Sequence, residues 1–244
     1  MKTICIVSLR NTAYIFSLSI LILFGFSSCQ SMLMRTMGIK SIKEFDQIVY
    51  AKNADQLKKG FDSSISSVIL ADTASIRYMA LVDSITVKDA YQPVQILYFK
   101  QGQLQSYHAN CYAKGTITGN LDWNVLGRFD QYIPSSVKPT QHENWNLQKL
   151  SNIMDLGLSD QQASSNEVIV LIWTSAFMKQ ALSAKDAIQE NLKLAGPSAQ
   201  PPLIVLANSD HFFAHVMQEE SVEDLVKDRL TATEYQKYLK HKDR

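Results

Sequence analysis

Residues 167–173 read EVIVLIW and residues 201–210 read PPLIVLANSD. Each holds an unbroken apolar run rich in β-branched side chains. A strand with one face in water alternates apolar and polar residues. A continuous run of Val, Ile and Leu is instead covered on both faces, as strands are in a parallel sheet. Between the two runs, Phe177, Ala181, Ala184, Ile188, Leu192 and Ala195 recur at spacings of three and four, which is one stripe of a helix. Gly196–Pro197 ends that stripe. Parallel neighbours need a crossover connection, so residues 167–210 are predicted to form one βαβ unit. The fold class is therefore α/β (or α+β), with a central sheet, a C-terminal βαβ unit and flanking helices.

The βαβ unit resembles the first half of a thioredoxin-like domain. In that family a buried strand ends in Trp, a redox Cys-x-x-Cys opens the helix, and the second strand ends in a polar cluster. Here Trp173 ends the strand and LANSD ends the second, but TSAFMKQ (174–180) stands where the thiols belong. Without a thiolate there, disulfide exchange at that place is excluded. The resemblance implies a redox-inactive copy of such a module. The later cis-proline strand of that fold is not recognisable in the C-terminal helices.

Upstream, Ser41 opens SIKE, the capping-box spacing, with Phe45, Ile48 and Val49 expected on one helix face. That helix is expected to fade near Asn53, with a second piece from Gln56 to Lys59 ending at Gly60. A short strand at Val68–Leu70 and a helix through ASIRYMALVDSI follow. QPVQILYFK and QLQSYHANCYA flank a turn at Gly102 and read as a hairpin. Alternation puts Val94, Ile96 and Tyr98 on one face. In the second strand it puts Tyr107, Ala109 and Cys111 on one face, with Leu104 and His108 on the other. Residues 114–146 read as loops and short strands, with Trp123, Phe129, Tyr132 and Trp145 to pack them down. The chain ends in two helices, Val222–Leu230 and one opened by the capping box TATE at 231–234.

The first thirty residues read as an address. Lys2 and Arg10 precede AYIFSLSILILFGF (13–26), and FGFSSCQS (24–31) brings two small residues up to Cys29. That is the secretory signal layout. It resembles the lipobox of bacterial lipoproteins, with Phe26 where the family has Leu. The resemblance implies cleavage after Ser28 and diacylation of Cys29, palmitate among the chains. Each buried CH₂ of such an anchor contributes about 0.8 kcal/mol. Gln30 lacks the Asp that retains such proteins at the inner membrane, which implies the periplasmic face of the cell outer membrane. The expected organisation is a signal peptide at 1–28, a tether at 29–40 and one globular domain at 41–244. A subdivision of that domain into 41–150 and 151–244 stays open. Losing residues 1–28 removes Lys2 and Arg10 and no acid, so the formal charge falls from +1 to −1. A near-neutral chain lacks the basic face that nucleic acid requires. Cys111 is the one thiol left, so no internal disulfide forms, and it is expected to be buried as a small apolar side chain.

Candidate chemistry is sparse. His108 and Cys111 are three apart, which on a strand points them to opposite faces. His211 and His215 share a helix face at i, i+4, with Glu219 a turn further on, yet the pattern of a zinc protease is missing. Asp210 lies just past a strand end, where α/β proteins place ligand contacts, and Ser209 or Asp210 also suits a helix cap. No phosphate loop, nucleophile elbow or paired Cys-x-x-Cys occurs, so neither cofactor nor metal ligand nor catalytic residue is assigned. The reading favoured is a lipid-anchored envelope protein that binds a small ligand or an envelope partner without catalysis. The rival is a periplasmic enzyme, a redox-inactive thioredoxin-like protein or a hydrolase, with a site near Trp173 and Asp210 and Cys111 as a candidate reactive thiol.

Overall fold

The computed structural model describes residues 36–81, 87–116, 118–140, 145–163, 165–196, 201–218 and 221–242. Cys29 and Glu219 lie outside them. The strands are β1 (Ile65–Ile69), β2 (Gln95–Lys100), β3 (Gln103–Ala109), β4 (Lys114–Gly115), β5 (Leu121–Asp122), β6 (Glu167–Trp173) and β7 (Leu203–Asn208). The helices are α1 (Gln47–Lys58), α2 (Asp72–Leu81), α3 (Val87–Ala90), α4 (Leu147–Met154), α5 (Asp160–Ala163), α6 (Met178–Lys193), α7 (Asp210–Val216), α8 (Val222–Arg229) and α9 (Ala232–Lys242).

Five strands make one mixed sheet in the order β1-β7-β6-β2-β3, and β4 pairs with β5 separately. β1, β7 and β6 run parallel; β2 is antiparallel to β6 and forms a hairpin with β3. The protein is thus an α/β fold, and its βαβ unit, β6-α6-β7, occupies the centre. A strand with neighbours on both edges and helices on both faces has no solvent side, which is why its sequence carries no alternation. Val168, Val170 and Ile172 of β6 pack under α2, α4 and α7 to α9, with Val205 and Ala207 of β7. Ile169, Leu171 and Trp173 pack on the opposite face beneath α1 and α6, with Ile204 and Leu206. The helical stripe supplies Ala181, Ala184 and Ile188 to that second core. After β7 the described chain is helical. The antiparallel strands beside β6 come from residues 95–109, ahead of the βαβ unit, rather than from a later strand of the thioredoxin-like kind.

Two local expectations change. Tyr98 faces Ser106 while Phe99 faces Leu104, so Gln105 is a bulged extra residue on β3. The bulge shifts the parity of alternation and moves Leu104 to the side of Tyr107 and Ala109. The SIKE capping box does not form. Asp46 caps α1 instead, its carboxylate accepting from the amides of Ile48 at 2.8 Å and Val49 at 3.0 Å. The helix then runs unbroken through Asn53, because its buried face is Tyr50, Ala54 and Leu57 at i, i+4, i+7. Ile48 is left 82% exposed and Val49 41%. The TATE box forms as expected. Glu234 accepts from the Thr231 amide at 2.9 Å, and Thr231 Oγ1 accepts from the Glu234 amide at 3.3 Å.

Candidate functional site

β6 and β7 end side by side, and the turns that follow them, Thr174–Phe177 and Ser209–Asp210, meet at the carboxyl edge of the sheet. Parallel strands gather ligand contacts at this edge because the chain must leave each strand there. Asp210, only 3% exposed, opens α7. Its Oδ1 accepts from Thr174 Oγ1 at 2.7 Å and from the Ser175 amide at 2.6 Å. Asn208 Oδ1 accepts from the Asp210 amide at 3.1 Å. The Ser209 hydroxyl donates back to the Trp173 carbonyl at 3.1 Å. Asp210 is therefore not a simple cap of its own helix; it ties the β6 turn to the β7 turn. Thr174 is fully buried and Ser175 nearly so, and the carboxylate supplies the acceptor for the Thr174 hydroxyl and the Ser175 amide.

A strap over residues 36–46 crosses this edge. The Lys40 amide donates to the Ala176 carbonyl at 2.8 Å. Gln180 Nε2 donates to the Met37 carbonyl at 3.0 Å, and the Gln218 side-chain amide donates to the Lys43 carbonyl. Phe45 lies on His211, ring centroids 4.5 Å apart and planes 19° apart. From α1, Asn53 Nδ2 donates to Ser175 Oγ at 2.9 Å, and Tyr50 stacks on Trp173 with centroids 5.9 Å apart. Burial, and then the charge of Asp210, push the Tyr50 hydroxyl above its ordinary pKa, so it stays protonated. Between strap, α1 and strand ends lies a cavity of about 400 Å³. Ser175, Asn53 and Asp210 line it from within, and Lys40, Lys43, Lys52, Glu44 and Asp46 line it toward the outside. Other hollows exist, one of about 560 Å³ by Gly60–Ser63 and Pro201–Pro202 at the opposite edge. A second, of about 570 Å³, lies between Trp123–Asp130 and α6. Neither lies at the carboxyl edge.

The remaining candidates disperse. His108 is 2% exposed. Its Nε2 is hydrogen-bonded to Ser106 Oγ at 2.8 Å, and its ring packs against Phe129 at 4.6 Å. Burial, with Arg128 nearby, pushes its pKa down to about 3, so it is a neutral core group. Cys111 is exposed, not buried as its sequence suggested. The chain leaves β3 at Ala109 and enters a 3₁₀ turn, Asn110–Tyr112, so the alternation that would have turned the thiol inward has already ended. Desolvation of its inner side, and then Asp89, hold the thiol above its ordinary pKa. His215 turns from His211 toward Asp72, with Nε2 3.6 Å from Oδ2, a carboxylate also held by Arg229 at 2.9 Å. Among the described residues no group of three His, Cys, Asp or Glu can hold a metal. No described helix is long and apolar enough to cross a membrane.

The sequence pointed to Trp173 and Asp210 and the structure brings them together. It missed Thr174, Asn53, Tyr50 and the three lysines. Thr-Ser directly after one buried strand and Asn-Ser-Asp directly after its neighbour were the available signal for the first. Nothing in the sequence announces a strap. No protein-family model, curated protein or solved structure matches the chain.

Proposed function

We propose that this chain is a lipid-anchored cell-envelope protein, held at the periplasmic face of the outer membrane through Cys29, and that it binds a small polar ligand without transforming it. The observation that carries the binding reading is the cavity at the strand ends, with a buried carboxylate, a hydroxyl and an amide inside it and lysines at its mouth. Such a lining suits a molecule with a protonated amine or hydroxyl for Asp210 and an anionic group for Lys40, Lys43 or Lys52. The enzyme reading needs a proton acceptor beside Ser175 or Asp210. Among the described residues His108 is hydrogen-bonded to Ser106 and His215 faces Asp72, while His211 stacks on Phe45 and makes no hydrogen bond to Ser175 or Asp210. Ser175 Oγ accepts from Asn53, which does nothing to make it nucleophilic.

The test is a thermal-shift titration of the purified chain with free amino acids and short unmodified peptides. At least one is expected to raise Tm in a saturable way, and Asp210→Asn, which keeps the shape of the site, is expected to weaken that rise. Flat responses from every zwitterion, or rises of equal size in Asp210→Asn, would remove this reading.

A further inference from the structure

Five large apolar side chains are markedly exposed among the described residues: Met37, Ile48, Val49, Leu126 and Leu194. Single exposed apolar residues need no explanation. Ile48 and Val49, however, are adjacent in the first turn of α1, and Lys52 follows Ile48 by one helical turn on the same outward face. Exposed Lys40 and Lys43 lie on the strap just before them. Propensity does not require an isoleucine that buries almost nothing, since the buried face of α1 is made by Tyr50, Ala54 and Leu57.

The position of this face in the chain identifies its occupant. Thr36, where the described structure begins, stands seven positions after Cys29. Fully extended, that tether reaches at most about 25 Å. The strap, residues 36–46, continues that stretch directly into α1. An anchored molecule therefore keeps Thr36 within that reach of the lipid, and the strap brings the apolar pair, with lysines around it, to the same end of the molecule. That is the composition of a surface that lies in a membrane interface.

We infer that the strap and first turn of α1 form a membrane-seating face, with Ile48 and Val49 in the interfacial layer of the bilayer and Lys40, Lys43 and Lys52 on anionic phospholipid headgroups. Glu44 and Asp46 share the face. Asp46 is neutralised in part by the helix amides it caps, which leaves the lysines in the majority. The mouth of the cavity lies on this same face, so in the seated molecule it opens to the headgroup layer rather than to bulk solvent.

The inference rests on the lipid-anchor reading, and one experiment separates the two. The full chain, purified from membranes with Cys111→Ser and Ile48→Cys, is labelled at position 48 with a small environment-sensitive fluorophore. It is then reconstituted in vesicles of phosphatidylethanolamine and phosphatidylglycerol with or without brominated acyl chains. A parallel chain carries the label at Leu126→Cys, an equally exposed position far along the sequence. Quenching at 48 is expected to exceed that at 126 severalfold, and to decline when phosphatidylglycerol is replaced by phosphatidylcholine. Equal quenching at the two positions, or none at 48, would overturn the seating face. Intact mass of the same preparation reports on the anchor alone. An unacylated chain would refute lipidation, and the seating is then read on the chain with Cys5→Ser, Cys29→Ser and Cys111→Ser, labelled at 48 alone and added to the same vesicles; an acylated chain with an unquenched label at 48 would refute only the seating.

Discussion

Replacing Asp210 by Ala removes the acceptor that holds two turns together. The side chain accepts from Thr174 Oγ1 at 2.7 Å and from the Ser175 amide at 2.6 Å. Thr174 is 0% and Ser175 3% exposed, so neither donor gains a solvent partner by simply staying in place. A hydrogen bond to a charged group contributes about 1.5–3 kcal/mol, and a buried donor left unpaired costs about 1–3 kcal/mol. Two such bonds would sum to more, but Ser175 and Asp210 border the cavity, and water entering there recovers part of the loss. The expected destabilisation for Asp210→Ala is therefore about 3 kcal/mol. Asp210→Asn retains an acceptor oxygen of the same shape and should lose about 1 kcal/mol. Thr174→Val removes one donor together with its partner bond and should fall between them. Urea unfolding followed by tryptophan fluorescence measures all three. With a slope of about 2 kcal/mol per molar for a domain of this size, the alanine variant should shift the midpoint by about 1.5 M. A shift below about 0.5 M, or alanine and asparagine variants of equal stability, would show that Asp210 does not link β6 to β7 and would undo the description of the site.

Three further outcomes are expected. His108 has its folded-state pKa depressed to about 3, so below pH ~6.5 the unfolded chain binds the proton that the folded chain refuses. The stability it contributes is complete above pH ~6.5 and declines by up to about 1.4 kcal/mol per pH unit as pH falls toward 3. Urea midpoints of wild type and His108→Gln against pH should converge in acid, and parallel curves would contradict a neutral buried imidazole. Cys111 should take up iodoacetamide in the folded protein at alkaline pH without denaturant, because its thiol is exposed and its pKa raised; labelling that waits for unfolding would place it in the core after all. Gly119 sits at φ +79 with the Met37 carbonyl where a Cβ would stand, so Gly119→Ala should cost about 2 kcal/mol or more by displacing the strap. Thermal unfolding of that variant within a degree of wild type would mean the strap is not held there.

How much of this was legible follows from the kind of interaction involved. The βαβ unit was readable because burial on both faces writes itself into every position of a strand. EVIVLIW has no solvent side to leave a polar residue for, and the α6 stripe repeats its period over Ala181, Ala184 and Ile188. The TATE box was readable because both partners lie within four residues. The SIKE box has the same local grammar, yet it failed, because tertiary contacts took the strap elsewhere: Lys40 to Ala176, Phe45 to His211. The single residue Gln105 was enough to reverse the inferred face of Leu104, since side-chain parity in a strand has no tolerance for an insertion.

The site is harder to read for a further reason. Its bonds join residues 35 and 36 apart, Ser175 and Thr174 to Asp210, and one 122 apart, Asn53 to Ser175. Strand adjacency makes the first pair inferable: once β6 and β7 are taken as parallel neighbours, the residues after their last positions must meet. The contribution of α1 is not inferable, because nothing local distinguishes Asn53 from any other polar residue of an exposed helix. The same asymmetry explains Ile48. In sequence it looks like one more core residue of an amphipathic helix, and only the position of Tyr50, Ala54 and Leu57 shows that the core is already complete without it. An apolar residue that the fold does not use is information that sequence periodicity erases.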